Sequence, residues 1–380
     1  MKVLVLGSGQ LAQMMYLAAA PLGVEVKAVD VTDNSIVNPI DKQLYDHDLA
    51  IAIDDADAIT VEFEHIPEPL LDLVHQSGKL YPNIQAILTG ADRVREKQLL
   101  DAKGVANCQH IVIREHAQIA EVIPTLGERV IFKSSRDGYD GYGQWRMSSA
   151  SDLEELEVIF AGLDLAKLPL IAEKMVAFDR EISVIGARDK NGHVRLFDIA
   201  ENLHYQGQLH VSIAPATDVS ELIKQKAEDI FTSIAEGLEY VGVLAVELFQ
   251  TGEELLVNEI APRVHNSGHW TQDGAETCQF EQHIRAVLDF PLGSTTTYSV
   301  TAMVNIIGCT SFSRDLIAIE GCNLHWYGKT LRDKRKMGHI NVVADSYQAL
   351  ASKLDTLMAC LPSEYFPMLP GEIKRLKAIV

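Results

Sequence analysis

The sequence predicts an α/β fold of more than one domain, with α+β character in its middle. Three observations carry that prediction: strand–helix alternation over the first third, β-rich runs punctuated by helices through the centre, and a length of 380 residues, enough for two or three cores. Lys2-Val3-Leu4-Val5-Leu6 is an apolar strand, and Gly7-Ser8-Gly9-Gln10 turns it into a helix from about Leu11 to Pro21. Val24 to Asp30 and Ala58 to Val61 read as further strands, with a helical stretch after Pro69. Such alternation is the pattern of a parallel sheet. A polar helix over Arg93 to Lys103 leads into the middle region, where Glu128 to Lys133 and Glu181 to Ile185 read as strands. Asp152 to Ala161 and Ser220 to Leu238 read as helices. Pro291-Leu292-Gly293-Ser294-Thr295-Thr296-Thr297 has the composition of a linker and opens the last part.

A net charge of −20 argues against broad binding to nucleic acid or to an anionic membrane, both of which need a basic face. One basic island does exist: Lys329, Arg332, Lys334, Arg335 and Lys336 fall close together near the C-terminus. It reads either as a solvated loop or as a seat for an anionic substrate. The five cysteines are scattered, without CxxC spacing, which indicates neither a disulfide framework nor a zinc site and fits a reducing cytoplasm. Gly7 to Gln10 splits the N-terminal apolar stretch, so no signal peptide is read there, and no apolar run approaches membrane-spanning length.

The most informative stretch runs from Glu259 to His269, crowding a carboxylate, Arg263 and two imidazoles into one kinked segment. Before it, Glu247 interrupts the apolar run Val243 to Phe249, and Thr251-Gly252-Glu253-Glu254 turns into Leu255 to Glu259. This reads as a β-hairpin. If Phe249 faces Val257, Glu247 lies opposite Glu259; if Gln250 faces Leu255, it lies opposite Asn258. Facing carboxylates repel by roughly 4 kcal/mol at about 4 Å, so a positive partner is expected. That partner is either Mg²⁺ shared with phosphate oxygens or a basic side chain such as Arg263.

Two glycine-rich turns compete for a nucleotide. Gly7-Ser8-Gly9-Gln10-Leu11-Ala12, with Asp30 ending the next strand, has the position of a dinucleotide turn, although tight strand-to-helix turns need glycine for steric reasons alone. Lys133 to Gln144 holds Gly138, Gly141 and Gly143 between strand-like runs, where backbone N–H groups close over phosphates and Lys133 adds a point charge; a flexible hairpin tip is the alternative. Glu173-Lys174-Met175-Val176 ends an apolar strand and offers an apolar slot for a base. His204 and His210 stand alone, as structural histidines commonly do.

Together Gly7 to Leu11, Ala91-Asp92-Arg93, Gly138-Tyr139-Asp140-Gly141, Asn258 to Trp270 and His325 to Lys329 resemble the ATP-grasp superfamily and, within it, the N5-carboxyaminoimidazole ribonucleotide synthetase family. The resemblance extends over nearly the whole chain. It implies an N-terminal Rossmann-like domain (1–93), an ATP-grasp domain (94–291) with a lid subdomain at about 107–175, and a small C-terminal domain (292–380). ATP would meet Arg93, Lys133, the loop Gly138, Tyr139, Asp140, Gly141, Tyr142, Gly143 and Gln144, the segment Glu173, Lys174, Met175 and Val176, then Glu181, His204, Asn258 and Glu259. Glu247 and Glu259 match the family's magnesium ligands, with Asn258 beside them; Mn²⁺ is an alternative ion.

Gln10, Leu11, Glu62, Tyr139, Asp140, Lys329, Arg335 and Lys336 would hold 5-aminoimidazole ribonucleotide, and Arg263, His265, Asn266 and Ser267 bicarbonate. The resemblance further implies catalysis by Arg263, Lys133, Glu247 and Glu259 and a homodimer in the cytoplasm. Tyr142 departs from the basic residue common after Gly-Tyr-Asp-Gly, and Arg136 is the candidate substitute. Because carboxyphosphate hydrolyses in water, a lid over 138–144 is expected. An ATP-grasp ligase acting on another small acid, a NAD-dependent oxidoreductase resting on Gly7 to Asp30, and a silent nucleotide-binding regulator are the competing readings.

Overall fold

The computed structural model describes residues 1–136 and 143–379. Its first sheet holds β1 (Lys2–Leu6), β2 (Glu25–Asp30), β3 (Ser35–Val37) and β4 (Ala58–Val61) in the order β3-β2-β1-β4. β1 runs parallel to both neighbours, as the alternation predicts, and β3 closes the edge antiparallel. β1 is apolar throughout because both of its faces are covered: Val3 and Val5 pack with Met15 and Ile284, Leu4 and Leu6 with Leu70 and Ile87. The first helix is Gln10–Ala19, and Pro21 falls in a short 3₁₀ turn ended by Gly23 at φ 68°. The helix Glu68–His75 starts one residue before Pro69, whose missing N–H costs nothing in a first turn.

The second sheet is antiparallel, with β5 (His110–Ile113), β6 (Val130–Ser134), β7 (Gln144–Met147) and β8 (Leu170–Lys174) in the order β5-β8-β6-β7. The third holds β9 (Arg180–Arg188), β10 (Val194–Leu196), β11 (Ala200–Tyr205), β12 (Gln208–Ala214), β13 (Gly242–Thr251), β14 (Glu254–Ala261), β15 (Val300–Ile307), β16 (Cys322–Trp326) and β17 (Lys336–Ala344). Their order is β14-β13-β9-β11-β12-β15-β17-β16, with β10 against β9. One sheet therefore runs across the predicted linker, through the pairing of β12 with β15. Residues 291–296 have no regular element, yet they do not hang loose. Gly293 N donates to Gln282 Oε1 at 3.0 Å, and Gln282 Nε2 donates to Gly293 O at 2.7 Å.

His283 joins two of these sheets. Val243 N, in β13, donates to its Nδ1 at 3.0 Å, so the ring proton sits on Nε2, which donates to Thr60 Oγ1 in β4 at 2.7 Å. Gly242, at φ 125°, is needed here because a Cβ would lie 2.9 Å from the imidazole. Burial pushes the His283 pKa down to about 4. The unfolded chain, with an ordinary histidine, binds more protons between pH 6.5 and 4, so this group's contribution is lost as pH falls through that window. His283→Gln is expected to be less stable than the parent at neutral pH but to lose less on acidification over that range. Urea midpoints from pH 7.5 to 4.5 check this; parallel curves would refute it.

Candidate active site

A cleft of about 1500 Å³ opens where the three sheets approach one another. The hairpin of β13 and β14 supplies its acidic wall. At the turn end Gln250 faces Leu255 and Phe249 faces Leu256, the second of the two registers open from sequence. A one-residue bulge then leaves Asn258 without an opposite residue and sets Glu247 opposite Glu259. All three line the cleft. Burial pushes the Glu247 carboxyl up to about 7, with His204 opposing the shift and Glu259 adding to it.

Several positive groups stand around this pair, and His204 and Lys336 both oppose the upward shift of Glu247. Arg93 Nη1 lies 3.5 Å from Glu259 Oε2, whereas Arg263, the other candidate, is engaged elsewhere: its Nε sits 2.7 Å from Glu64 Oε1. His265 Nδ1 is 3.8 Å from Glu247 Oε1, but burial holds that imidazole well below its ordinary pKa and so neutral. Two carboxylates and an amide are hard oxygen donors of the kind that suit a divalent cation completed by phosphate oxygens and water, and the donor set fits Mg²⁺.

One end of the cleft is built from the second sheet. Lys133 and Glu173 lie on neighbouring strands, β6 and β8, and Lys133 Nζ meets Glu173 Oε2 at 2.5 Å. Lys97, from the helix Arg93–Ala102, meets Oε1 at 2.8 Å. Burial alone would raise the Glu173 pKa, but Lys133 and Lys97 outweigh it and bring it down to about 2. Its carboxylate is thus committed to lysines, and the backbone after it is tied in as well, Lys174 N donating to Gln109 O at 2.9 Å and Met175 N to Arg129 O at 2.8 Å. Lys174, Met175 and Val176 line the cleft with Cys108, Ile131 and a stacked pair, Phe178 and Phe249, whose ring centroids are 4.5 Å apart. Glu181 Oε2 is 3.1 Å from His204 Nδ1, and both line the cleft.

Gly138, Tyr139, Asp140, Gly141 and Tyr142, and with them most of the expected lid, lie outside the described residues. Gln144 lines the cleft, while Gly143 does not. Arg136 lines it too, with its Nε 2.9 Å from Asp92 Oδ2.

At the opposite end, Glu62 accepts from Gly9 N at 2.5 Å and Leu11 N at 3.0 Å. A Cβ on Gly9 would stand 2.3 Å from Glu62 Oε1, so this glycine makes room for a carboxylate. The donors that would cradle a dinucleotide pyrophosphate are already occupied by a carboxyl group of the protein, which corrects the oxidoreductase reading. Gln10, Leu11, Lys329, Arg335 and Lys336 line the cleft; Arg332 and Lys334 do not.

The bicarbonate candidates divide. Arg263, His265 and Asn266 line the cleft, and Asn266 forms a reciprocal amide pair with buried Asn305 at 2.6 and 3.0 Å. Ser267 does not line it: the 3₁₀ turn Asn266–Gly268 folds its side chain beneath His265, 2.9 Å from Nδ1 and fully buried. Sequence reasoning gave no role to Glu64, Lys97 or Cys108, and it placed His269 and Tyr327 within motifs without assigning either a contact. Glu64 left a signal, because it follows the C-terminal end of a strand in an open α/β sheet, where ligands bind.

The sequence matches the ribonucleotide synthetase preATP-grasp domain over residues 1–90, the ATP-grasp domain over 98–280 and the phosphoribosylaminoimidazole carboxylase C-terminal domain over 301–353. It is 49% identical to the N5-carboxyaminoimidazole ribonucleotide synthase of Vibrio cholerae, covering 99% of this chain and 100% of the relative. The crystal structure of the Thermus thermophilus synthetase superposes with a TM-score of 0.83 at 36% identity, covering 94% of this chain and 98% of that one. The Aspergillus clavatus enzyme, solved with ADP and 5-aminoimidazole ribonucleotide, gives 0.78 at 28% identity, covering 98% of each chain.

Proposed function

The chain belongs to the N5-carboxyaminoimidazole ribonucleotide synthase family of ATP-grasp enzymes, and from that premise we propose how its own residues divide the work. It is a ligase of purine biosynthesis that carboxylates 5-aminoimidazole ribonucleotide to N5-carboxyaminoimidazole ribonucleotide at the expense of ATP. Bicarbonate is a poor electrophile. Transfer of the γ-phosphoryl group to one of its oxygens gives carboxyphosphate, and the exocyclic amine of the ribonucleotide then takes the activated carboxyl group as phosphate leaves.

Positioning and charge neutralisation carry such a transfer. Lys133 and Arg93 face the phosphates; Lys174 to Val176 seat the adenine, with Glu181 at the ribose and His204 behind it. Arg263, oriented by Glu64, and Asn266, oriented by Asn305, face bicarbonate together with His265. Lys329, Arg335 and Lys336 hold the ribonucleotide phosphate opposite Gln10, Leu11 and Glu62. Glu247, Glu259 and Asn258 would hold Mg²⁺ or Mn²⁺, an ion that neutralises phosphate charge during transfer.

The observation that carries this reading is the bulge that sets Glu247 opposite Glu259 on the wall of the cleft that Lys133, Lys329, Arg335 and Lys336 also line. Further parts of the same proposal are a division at 1–93, 94–291 and 292–380, a cytoplasmic location suited to five free cysteines, and a homodimer. Phosphate release from ATP, measured with and without bicarbonate and ribonucleotide and paired with detection of the carbamate, tests it. Productive turnover is expected only with all three substrates. Carbamate formation without ATP consumption would overturn it.

A further inference from the structure

Lys97 is among the most deeply buried charges in the protein, 1% exposed, and no part of the reaction described so far uses it. It does not line the cleft; Glu173 and Lys133, to which it is linked, do. Three elements meet here: the helix Arg93–Ala102 brings Lys97, β8 brings Glu173 and β6 brings Lys133. One carboxylate is shared between two ammonium groups, at 2.8 Å from behind and 2.5 Å on the cleft side. With a single carboxylate between two lysines, the triad carries one net positive charge. Glu173 and Lys133 by themselves would be neutral, and a neutral pair has little attraction for a triphosphate.

We propose that Lys97 is a positioning residue for phosphoryl transfer: by neutralising Glu173 from inside the fold, it leaves the charge of Lys133 available to the transferred phosphoryl group. The proposal rests on the reading of Lys133 as a phosphate-contacting residue. It differs from a structural role in one respect, because it depends on net charge and not on the presence of a buried ammonium. Removing Lys97 takes the triad to zero; removing Glu173 as well restores the single positive charge.

The test compares the parent with Lys97→Met, Lys133→Met and the double variant Lys97→Met/Glu173→Gln, reading kcat and KM for ATP at saturating bicarbonate and ribonucleotide. Lys97→Met is expected to lower kcat/KM for ATP by about 10–100-fold. The double variant is expected to recover at least about 10-fold of that loss, although it has lost two buried polar groups. A double variant no more active than Lys97→Met, at equal folded fraction by circular dichroism, overturns the proposal. If Lys97→Met does not fold, the double variant is compared with the parent: within about 10-fold supports the proposal, and a loss beyond about 100-fold overturns it. Lys133→Met separates the two readings. Near-parental turnover there removes the phosphate assignment itself, whereas a collapse without recovery in the double variant removes only the role of Lys97.

Discussion

Glu247→Gln is expected to lower kcat/KM by about 10³-fold while leaving the metal-free fold at least as stable as the parent, because one charge at a phosphoryl-transfer site contributes several kcal/mol to the transition state. The two effects have one cause. Without a cation, Glu247 faces Glu259 across the hairpin, and burial together with that neighbour pushes its carboxyl up to about 7. A raised carboxyl pKa means that the native state holds its proton more tightly than the unfolded chain does. Its stabilising contribution is present below the ordinary carboxylate range and is lost as pH rises through about 7. An amide has no proton to lose in this range, so the metal-free variant escapes that decline. Steady-state assays with Mg²⁺ varied, alongside melting temperatures in chelator from pH 5 to 8, check both halves. A variant that loses activity and also melts well below the parent in chelator would show that Glu247 holds the fold and not an ion.

Glu173→Gln is expected to act in the opposite sense, on stability first, at a cost of about 3–5 kcal/mol for leaving buried charges without their partner. Lys97 and Lys133 would face each other across an amide, with side chains only 1% and 8% exposed. Glu173 also fastens the helix Arg93–Ala102 to the second sheet, so the loss spans two layers of the molecule. Urea denaturation of the parent and the variant measures it. A difference below about 1 kcal/mol, the range of exposed ion pairs, would mean that water reaches the triad.

The strands, helices and acidic hairpin were legible because each is written locally, in apolar runs and turn residues. The first helix and β4 lie within a residue or two of where the sequence puts them. Glu247, Glu259, Lys133 and the basic island were legible as charges placed where charge is costly or clustered. What the sequence left open depends on distant partners. Neither hairpin register alone describes the pairing, since the bulge at Asn258 combines parts of both. Ser267 looks like its polar neighbours in sequence, and only the 3₁₀ turn folds it away from the cleft. Glu62 turned the first glycine motif from a cofactor cradle into a carboxylate seat, across 53 residues of chain. Lys97, seen in sequence, is one more charge on a polar helix.

The pairing of β12 with β15 has a practical outcome for anyone trimming this protein. A version ending near residue 297 would not be a shorter enzyme with its nucleotide half intact. It would strip β12 of a neighbour and present a row of unpaired amides, with Val211 and Ile213 uncovered beside them, an invitation to aggregate. Lys336, which opens β17, and the acidic hairpin of β13 and β14 belong to that same sheet, so a cut between them would divide a single hydrogen-bonded layer.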